Sequence, residues 1–144
     1  MTKRKNTAMI ITRDCLAARI RLLNRQILRL YDDALRPFGI KVTQLSVLAA
    51  LERLGPSSPS EVTKVLDMEK STLSRNLERL RTRGWIEVQP GLSGRTQQVA
   101  VTDQGRELLE QALPEWEAAQ EQAAKLLGAN TTAALYRLPT ANWA

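Results

Sequence analysis

The sequence predicts a mainly α-helical chain that carries one small antiparallel β-hairpin. Three observations predict it: apolar stripes at helical spacing towards both ends, two short helical stretches only three residues apart, and two alternating segments around a turn rich in Pro and Gly. At 144 residues the chain fits one domain built on one core. Its hydrophobic and charged shares, 43% and 25%, are those of a soluble globular protein.

A basic, polar tail comes first. Apolar residues then recur at Leu16, Ile20, Leu23, Ile27, Leu30 and Ala34, in alternating steps of four and three, a seam at heptad spacing. This first helix is expected from about Thr12 to just before Pro37, because proline disfavours helical geometry in the residue preceding it. Gly39 then turns the chain.

Thr43 is the expected cap of a second, buried helix carrying Leu45, Val47, Leu48, Leu51 and Leu54, which Gly55 and Pro56 stop. Ser58-Pro59-Ser60-Glu61 has the form of a capping box with proline in the first helical position, and opens a short third helix to about Leu66. After Asp67 to Glu69 a fourth helix turns Leu73, Leu77 and Leu80 inward and ends at Gly84. Two helices joined so closely read as helix-turn-helix.

Trp85 to Gln89 and Gln97 to Val101 alternate as strands, with Ile86 and Val88 on one face and Val99 and Val101 on another. Between them, Pro90-Gly91-Leu92-Ser93-Gly94-Arg95 has the chemistry of a hairpin tip, which makes the pair a wing. From Thr102, a good cap, a long helix shows Leu109, Ala112, Trp116, Ala119, Ala123 and Leu126 as a second seam. Pro114 should kink it, and a last short helix is expected after Asn130. The fold class is thus a winged helix-turn-helix lobe over residues 43–101, flanked by long helical segments at 12–36 and 102–144.

Charge points to the partner. Against 15 acidic side chains the chain has 21 basic ones and no histidine, a net +6 that suggests an anionic polymer such as DNA or RNA. Residues 1–102 hold twice as many basic as acidic side chains and 103–144 half as many, so the acidic end is not the expected nucleic-acid face. Without histidine, and with one cysteine, the usual general base, the commonest metal ligand and a thiolate zinc site are missing. No Gly-rich phosphate loop is present, so neither an enzyme, a cofactor nor a metal is expected. The apolar runs are too short to span a membrane and Lys3 to Lys5 precede no signal-peptide core, which predicts a cytoplasmic protein.

With Leu73, Leu77 and Leu80 inward, a helical turn of about 100° per residue places Ser71, Thr72, Arg75, Arg79 and Thr82 outward or on the shoulders. Such side chains suit a major groove: short hydroxyls reach bases or phosphates, and arginine spans the two acceptors of guanine or pairs with phosphate. Lys70, Arg75, Arg79, Arg81, Arg83 and Arg95 face only Glu78 and Glu87 in the same stretch, so positive charge gathers where reading would occur. Arg95 at a hairpin tip has the reach to enter the adjacent minor groove.

The chain resembles the MarR family of winged helix-turn-helix transcriptional regulators. The resemblance is carried by Asp67-Met68-Glu69-Lys70-Ser71-Thr72-Leu73-Ser74-Arg75, by Leu80-Arg81-Thr82-Arg83-Gly84-Trp85-Ile86 and by Val101-Thr102-Asp103-Gln104-Gly105, in the family's order and spacing. Leu35-Arg36-Pro37-Phe38-Gly39-Ile40 and Thr43-Gln44-Leu45 also look like the family's first junction. The resemblance implies a homodimer whose terminal helices intertwine, with each winged lobe on one half of a palindrome in double-stranded DNA. It implies recognition by Ser71, Thr72, Ser74 and Arg75 and a wing contact by Arg95, although Ser93 stands where the family wing usually has Asp.

Relatives of this kind are often repressors released by a small anionic aromatic effector or by an oxidant. Arg21, Arg25, Arg29, Tyr31 and Trp116 have the chemistry for an effector pocket, but each also reads singly as a solvated charge or a core aromatic, so no effector residue is assigned. Cys15 lies near the place of the family's peroxide-sensing thiol, two residues early when counted back from Gln44. Tyr31 matches one of the activating tyrosines and Val42 replaces the other; a small buried hydrophobe is the ordinary fate of such a cysteine. A different class of function, an architectural DNA binder or a winged-helix protein-interaction module without sequence readout, is the alternative.

Overall fold

The structure, a computed structural model, describes residues 2–91 and 96–139. Its core gathers around α3 (Val42–Leu54), where Val47, Leu48 and Leu51 are fully buried. A helix that is apolar on several sides must be covered on several sides. The cover comes from α2 (Leu16–Leu35), α4 (Pro59–Leu66), α5 (Lys70–Thr82), α6 (Asp103–Leu127) and strand β2 (Gln97–Val101). Leu35, Val62, Leu73 and Leu80 reach the same core, and each such side chain removed from water contributes roughly 1.5–3 kcal/mol.

The cap of α3 differs from the expectation. The helix starts before Thr43: the Lys41 amide donates to Gln44 Oε1 (3.1 Å), and the Val42 amide donates to Asp32 Oδ1 of α2 (2.9 Å). A carboxylate from the preceding helix thus does the work assigned to a hydroxyl in sequence, satisfying a first-turn donor and favouring the positive end of the helix.

The basic tail is itself helical, a second correction. Helix α1 (Thr2–Asp14) precedes a single extended residue, Cys15 (φ −71°, ψ 109°), and α2 follows. Lys, Arg, Met and Ala are adequate helix formers without an apolar period, and the side chains of residues 6–14 are exposed. At its other end α2 passes into a 3₁₀ turn, Arg36–Phe38, which Gly39 closes in a left-handed conformation (φ 67°).

The helix-turn-helix forms as the sequence predicts. Ser58 Oγ accepts from the Glu61 amide, Glu61 accepts from the Ser58 amide (2.8 Å), and Pro59 occupies the first turn of α4. Asp67 then takes a left-handed conformation (φ 48°, ψ 48°) and α5 begins at Lys70.

Strand β1 (Ile86–Pro90) pairs antiparallel with β2, Ile86 opposite Val101 and Val88 opposite Val99. Directly opposed residues point to the same side of a sheet, so all four apolar side chains share one face rather than two. Val88 is nonetheless 45% exposed while Val99 is buried. Ser57 bridges the other edge of β2, exchanging backbone hydrogen bonds with Val99 (3.0 and 2.8 Å), so β2 lies between two partners and β1 is the outer strand. The wing tip at 92–95, with Arg95, lies outside the described residues.

Thr102 caps α6 as expected, accepting from the Gly105 amide (3.1 Å), and its hydroxyl also donates to the Gly84 carbonyl (2.7 Å). Gly105 is needed there: a Cβ would lie 2.2 Å from the Trp85 carbonyl oxygen. Helix α6 continues through Pro114 to Leu127, and α7 (Ala129–Arg137) follows Gly128.

The two seams meet within the chain, but only in part. Ala112, Ala119 and Ala123 of α6 are buried, and Tyr31 of α2 packs on Trp116 with ring centroids 6.2 Å apart. Leu16 and Ile20, in contrast, are 72% and 65% exposed. Among the described residues no helix is long and apolar enough to cross a membrane.

Candidate nucleic-acid interface

One face of α5 is fixed and the other is open. Leu73 and Leu80 are buried and Leu77 is half-buried. Asn76 joins that inner face: it is buried, and its Nδ2 donates to the Met68 sulfur at 3.9 Å, joining the helix to the turn before it. The leucine period itself points to Asn76, three residues after Leu73 and four before Leu80, yet a polar residue is easily passed over in a search for apolar ones.

On the open face Lys70, Ser71, Ser74, Arg75 and Arg79 are exposed, and Thr72 is half-buried on the shoulder. The structure therefore brings six of the expected contact residues onto one helix. Lys70 and Ser74 also line a small cleft of about 240 Å³ with Pro59, Ser60 and Thr63 of α4. The seventh, Arg95, is outside the described residues. Glu78 and Arg81 pair on the exposed side (2.8 and 3.1 Å), and the guanidinium holds that carboxyl below its ordinary range.

The end of α5 is tied to its surroundings by Arg83, which the sequence marks only as one more basic side chain of this stretch. Arg83 donates from Nη1 to the Gly39 carbonyl (3.2 Å), and its guanidinium carbon lies 4.4 Å from the centre of the Trp85 ring. Arg83 and Gly39 are 44 residues apart, so only the fold brings them together.

Cys15 is half-buried at the break between α1 and α2. Arg13 is held by Asp14 (2.7 and 2.8 Å), and Arg19 donates to the Arg13 carbonyl (3.1 Å). Tyr31 is four turns further along, roughly 24 Å at the helical rise. It bonds Gln120, which donates to Tyr136 of α7 (2.6 Å), and burial, then the neighbouring Tyr136, raise the Tyr31 phenol above its ordinary value.

Among the described residues, two of the grooves lie along the middle and end of α6. One, of about 620 Å³, lies against α3 and is lined by Leu45, Ala49, Leu109, Leu113 and Trp116 with Glu52, Arg53 and Glu110. The other, of about 470 Å³, contains Ile27, Tyr31, Gln120 and Tyr136. Trp116 and Tyr31 thus belong to different grooves, and Arg21, Arg25 and Arg29 line neither. Among the described residues no cluster of side chains is suited to hold a metal ion.

A model of the MarR family matches residues 38–95, from the end of the 3₁₀ turn to the wing tip. The solved oxidized form of MarR from Escherichia coli is 30% identical, with a TM-score of 0.69 over 84% of this chain and 88% of that one. The chain belongs to the MarR family. A variant of the same Escherichia coli MarR, complexed with operator DNA, superposes with a TM-score of 0.79 at 28% identity, covering 88% of this chain and 92% of that one. The uncharacterized HTH-type transcriptional regulator YwoH of Bacillus subtilis is 31% identical over 87 residues, 60% of this chain and 64% of that protein. This MarR-family chain spans about half to two thirds of the length of the curated relatives it matches.

Proposed function

We propose that this MarR-family chain is a sequence-specific DNA-binding transcriptional regulator, a homodimeric repressor that occupies a palindromic promoter site and is released by a small effector or an oxidant. One observation carries the reading: α5 is fixed by its buried face and presents Lys70, Ser71, Ser74, Arg75 and Arg79 together to solvent, with Thr72 on the shoulder. The relative complexed with operator DNA supports it, since its fold is shared over most of both chains. In this reading Ser71, Thr72, Ser74 and Arg75 read bases or adjacent phosphates, Lys70 and Arg79 hold the backbone, and Arg95 adds a wing contact.

The terminal segments 12–36 and 102–144 form the dimer interface. Exposed Leu16, Ile20 and Leu22 on α2 and Leu126 on α6 supply its apolar surface. The groove between α3 and α6 joins the winged lobe to those helices and is the place for an effector, whose binding there releases DNA if it favours a different spacing of the lobes. Cys15 is the place for an oxidant.

The test is selection of genomic fragments by reduced protein at near-physiological salt, followed by sequencing, because purely electrostatic binding falls steeply with salt. A few promoter fragments sharing one palindrome are expected. The Thr72→Ala, Arg75→Ala double variant should lose about 10- to 100-fold of its preference for that site over unrelated DNA. Fragments with no shared symmetric site would instead favour the architectural role. In the same assay peroxide should release the wild type but not Cys15→Ser; equal release removes Cys15 from the mechanism.

A further inference from the structure

We propose that Arg83 is a positioning residue that sets the angle of the DNA-contacting helix to the dimer helix, and so the spacing of the two halves of the site. The inference rests on the reading of α5 and α2 just given. It starts from where the arginine lies. Arg83 follows α5 directly, yet its guanidinium leaves that helix and reaches the corner that follows α2, donating to the Gly39 carbonyl (3.2 Å) across the Trp85 ring (4.4 Å).

Both ends of this link are themselves held. At the corner, the Gly39 amide donates to Arg36 (3.0 Å), Ile40 is buried, and Asp32 of α2 accepts from the Val42 amide (2.9 Å). At the other end Trp85 is buried, its amide donates to Leu80 (3.1 Å) and its carbonyl accepts from Thr102 (3.0 Å). One planar side chain therefore joins the junction α2–α3 to the junction α5–β1, and through Trp85 to the start of α6.

The seat is shaped for it. At Gly39 a Cβ would lie 2.8 Å from Arg83 Nη1 and 3.1 Å from Nη2. Only a residue without a side chain leaves the guanidinium its place on the carbonyl. A lysine keeps the charge but has neither the planar fork nor the stacking surface, so it should not hold the same geometry.

A helix that pivots about its C-terminal end carries its first two turns, where Ser71, Thr72 and Arg75 lie, through the largest arc. In a dimer that motion is doubled by symmetry. Two recognition helices must enter major grooves about 34–36 Å apart, and one added base pair moves the half-sites by roughly 3.4 Å. The Arg83 link thus determines how strictly the dimer insists on one spacing.

The experiment measures the affinity of wild type, Arg83→Lys and Arg83→Gln for the selected palindrome and for the same palindrome with one central base pair inserted or removed. Wild type should prefer its own spacing by roughly tenfold or more. Both variants should fall below about threefold discrimination, with the salt dependence of binding unchanged in Arg83→Lys. Gly39→Asn provides a second route, since asparagine tolerates the left-handed conformation while its Cβ displaces the guanidinium and leaves the arginine in the chain. It should show the same loss and decides the matter if the Arg83 variants do not fold. Full spacing discrimination in all the folded variants overturns the proposal. So does a phosphate-contact pattern, in which Arg83→Lys behaves as wild type and Arg83→Gln weakens every spacing equally with a salt slope lower by about one. A wild type that selects no symmetric site overturns the underlying reading, and the proposal with it.

Discussion

Asp67 pays a conformational cost at the centre of the helix-turn-helix. Among the described residues it is the non-glycine residue with positive φ (48°), a conformation that costs most L-residues roughly 1–2 kcal/mol and Asp or Asn less. Asp67→Val should therefore lower stability by about 1–2 kcal/mol, while Asp67→Gly stays within about 1 kcal/mol because relief of strain is offset by a freer unfolded chain. Urea unfolding monitored by circular dichroism measures both, and equal midpoints for Val and Gly would show that the turn is not strained. The sequence announced a turn at Asp67 but not its handedness. Asn76 was legible from the leucine period, whereas the Asp32 cap and the Arg83 link were not, because their partners are 10 and 44 residues away and a local pattern carries no information about them.

At the level of elements, two caps built within four residues were read correctly, whereas the Lys41–Gln44 bond that opens α3 was not. Ser58 with Glu61 and Thr102 with Gly105 satisfy amides that any helix start leaves open. The α1 helix was missed because its composition has no apolar period to announce it. On α5 the electrostatics are tunable: Glu78 neutralises Arg81 on an otherwise basic, exposed surface. The pair is solvated on both sides, so it contributes little to stability. Glu78→Gln should leave the unfolding midpoint nearly unchanged, raise affinity for unrelated duplex DNA by about two- to fivefold at low salt, and steepen the salt dependence by up to about one ion. Acid should act in the same direction. The Glu78 carboxyl lies below its ordinary value, so the pair persists as pH falls past the normal carboxylate range and is lost only when pH passes that lowered value. Identical affinity and slope in the variant would mean that Arg81 points away from DNA.

In the whole molecule the winged lobe and the terminal helices differ in what they leave unfinished. The lobe's core is closed within one chain, by α4, α5 and β2 together with parts of α2 and α6 that pack on α3. The terminal helices are not closed in this way, since Leu16, Ile20 and Leu22 are each more than half exposed, as are Leu126 and Tyr136. The apolar stripe on α2 was legible at its heptad spacing, but spacing alone does not say how much of a stripe a chain's own α6 will cover. Charge adds direction to what remains. Exposed Arg19, Arg21, Arg25 and Arg29 lie on α2, and exposed Glu110, Glu115, Glu117 and Glu121 on α6, so an antiparallel exchange of these helices between two copies would bring opposite charges together while covering the leucines. Replacing Leu16 and Ile20 by Asp together should then convert the proposed dimer to a monomer in sedimentation equilibrium, with the helical signal and the lobe's unfolding midpoint retained because neither side chain belongs to the core. Affinity for the full palindrome should fall by roughly 100-fold or more, the loss expected when two linked contacts become independent. A wild-type protein that sediments as a monomer, or a double variant that still binds the palindrome as a dimer, would remove the terminal helices from that role and leave the apolar surface of α2 to another partner.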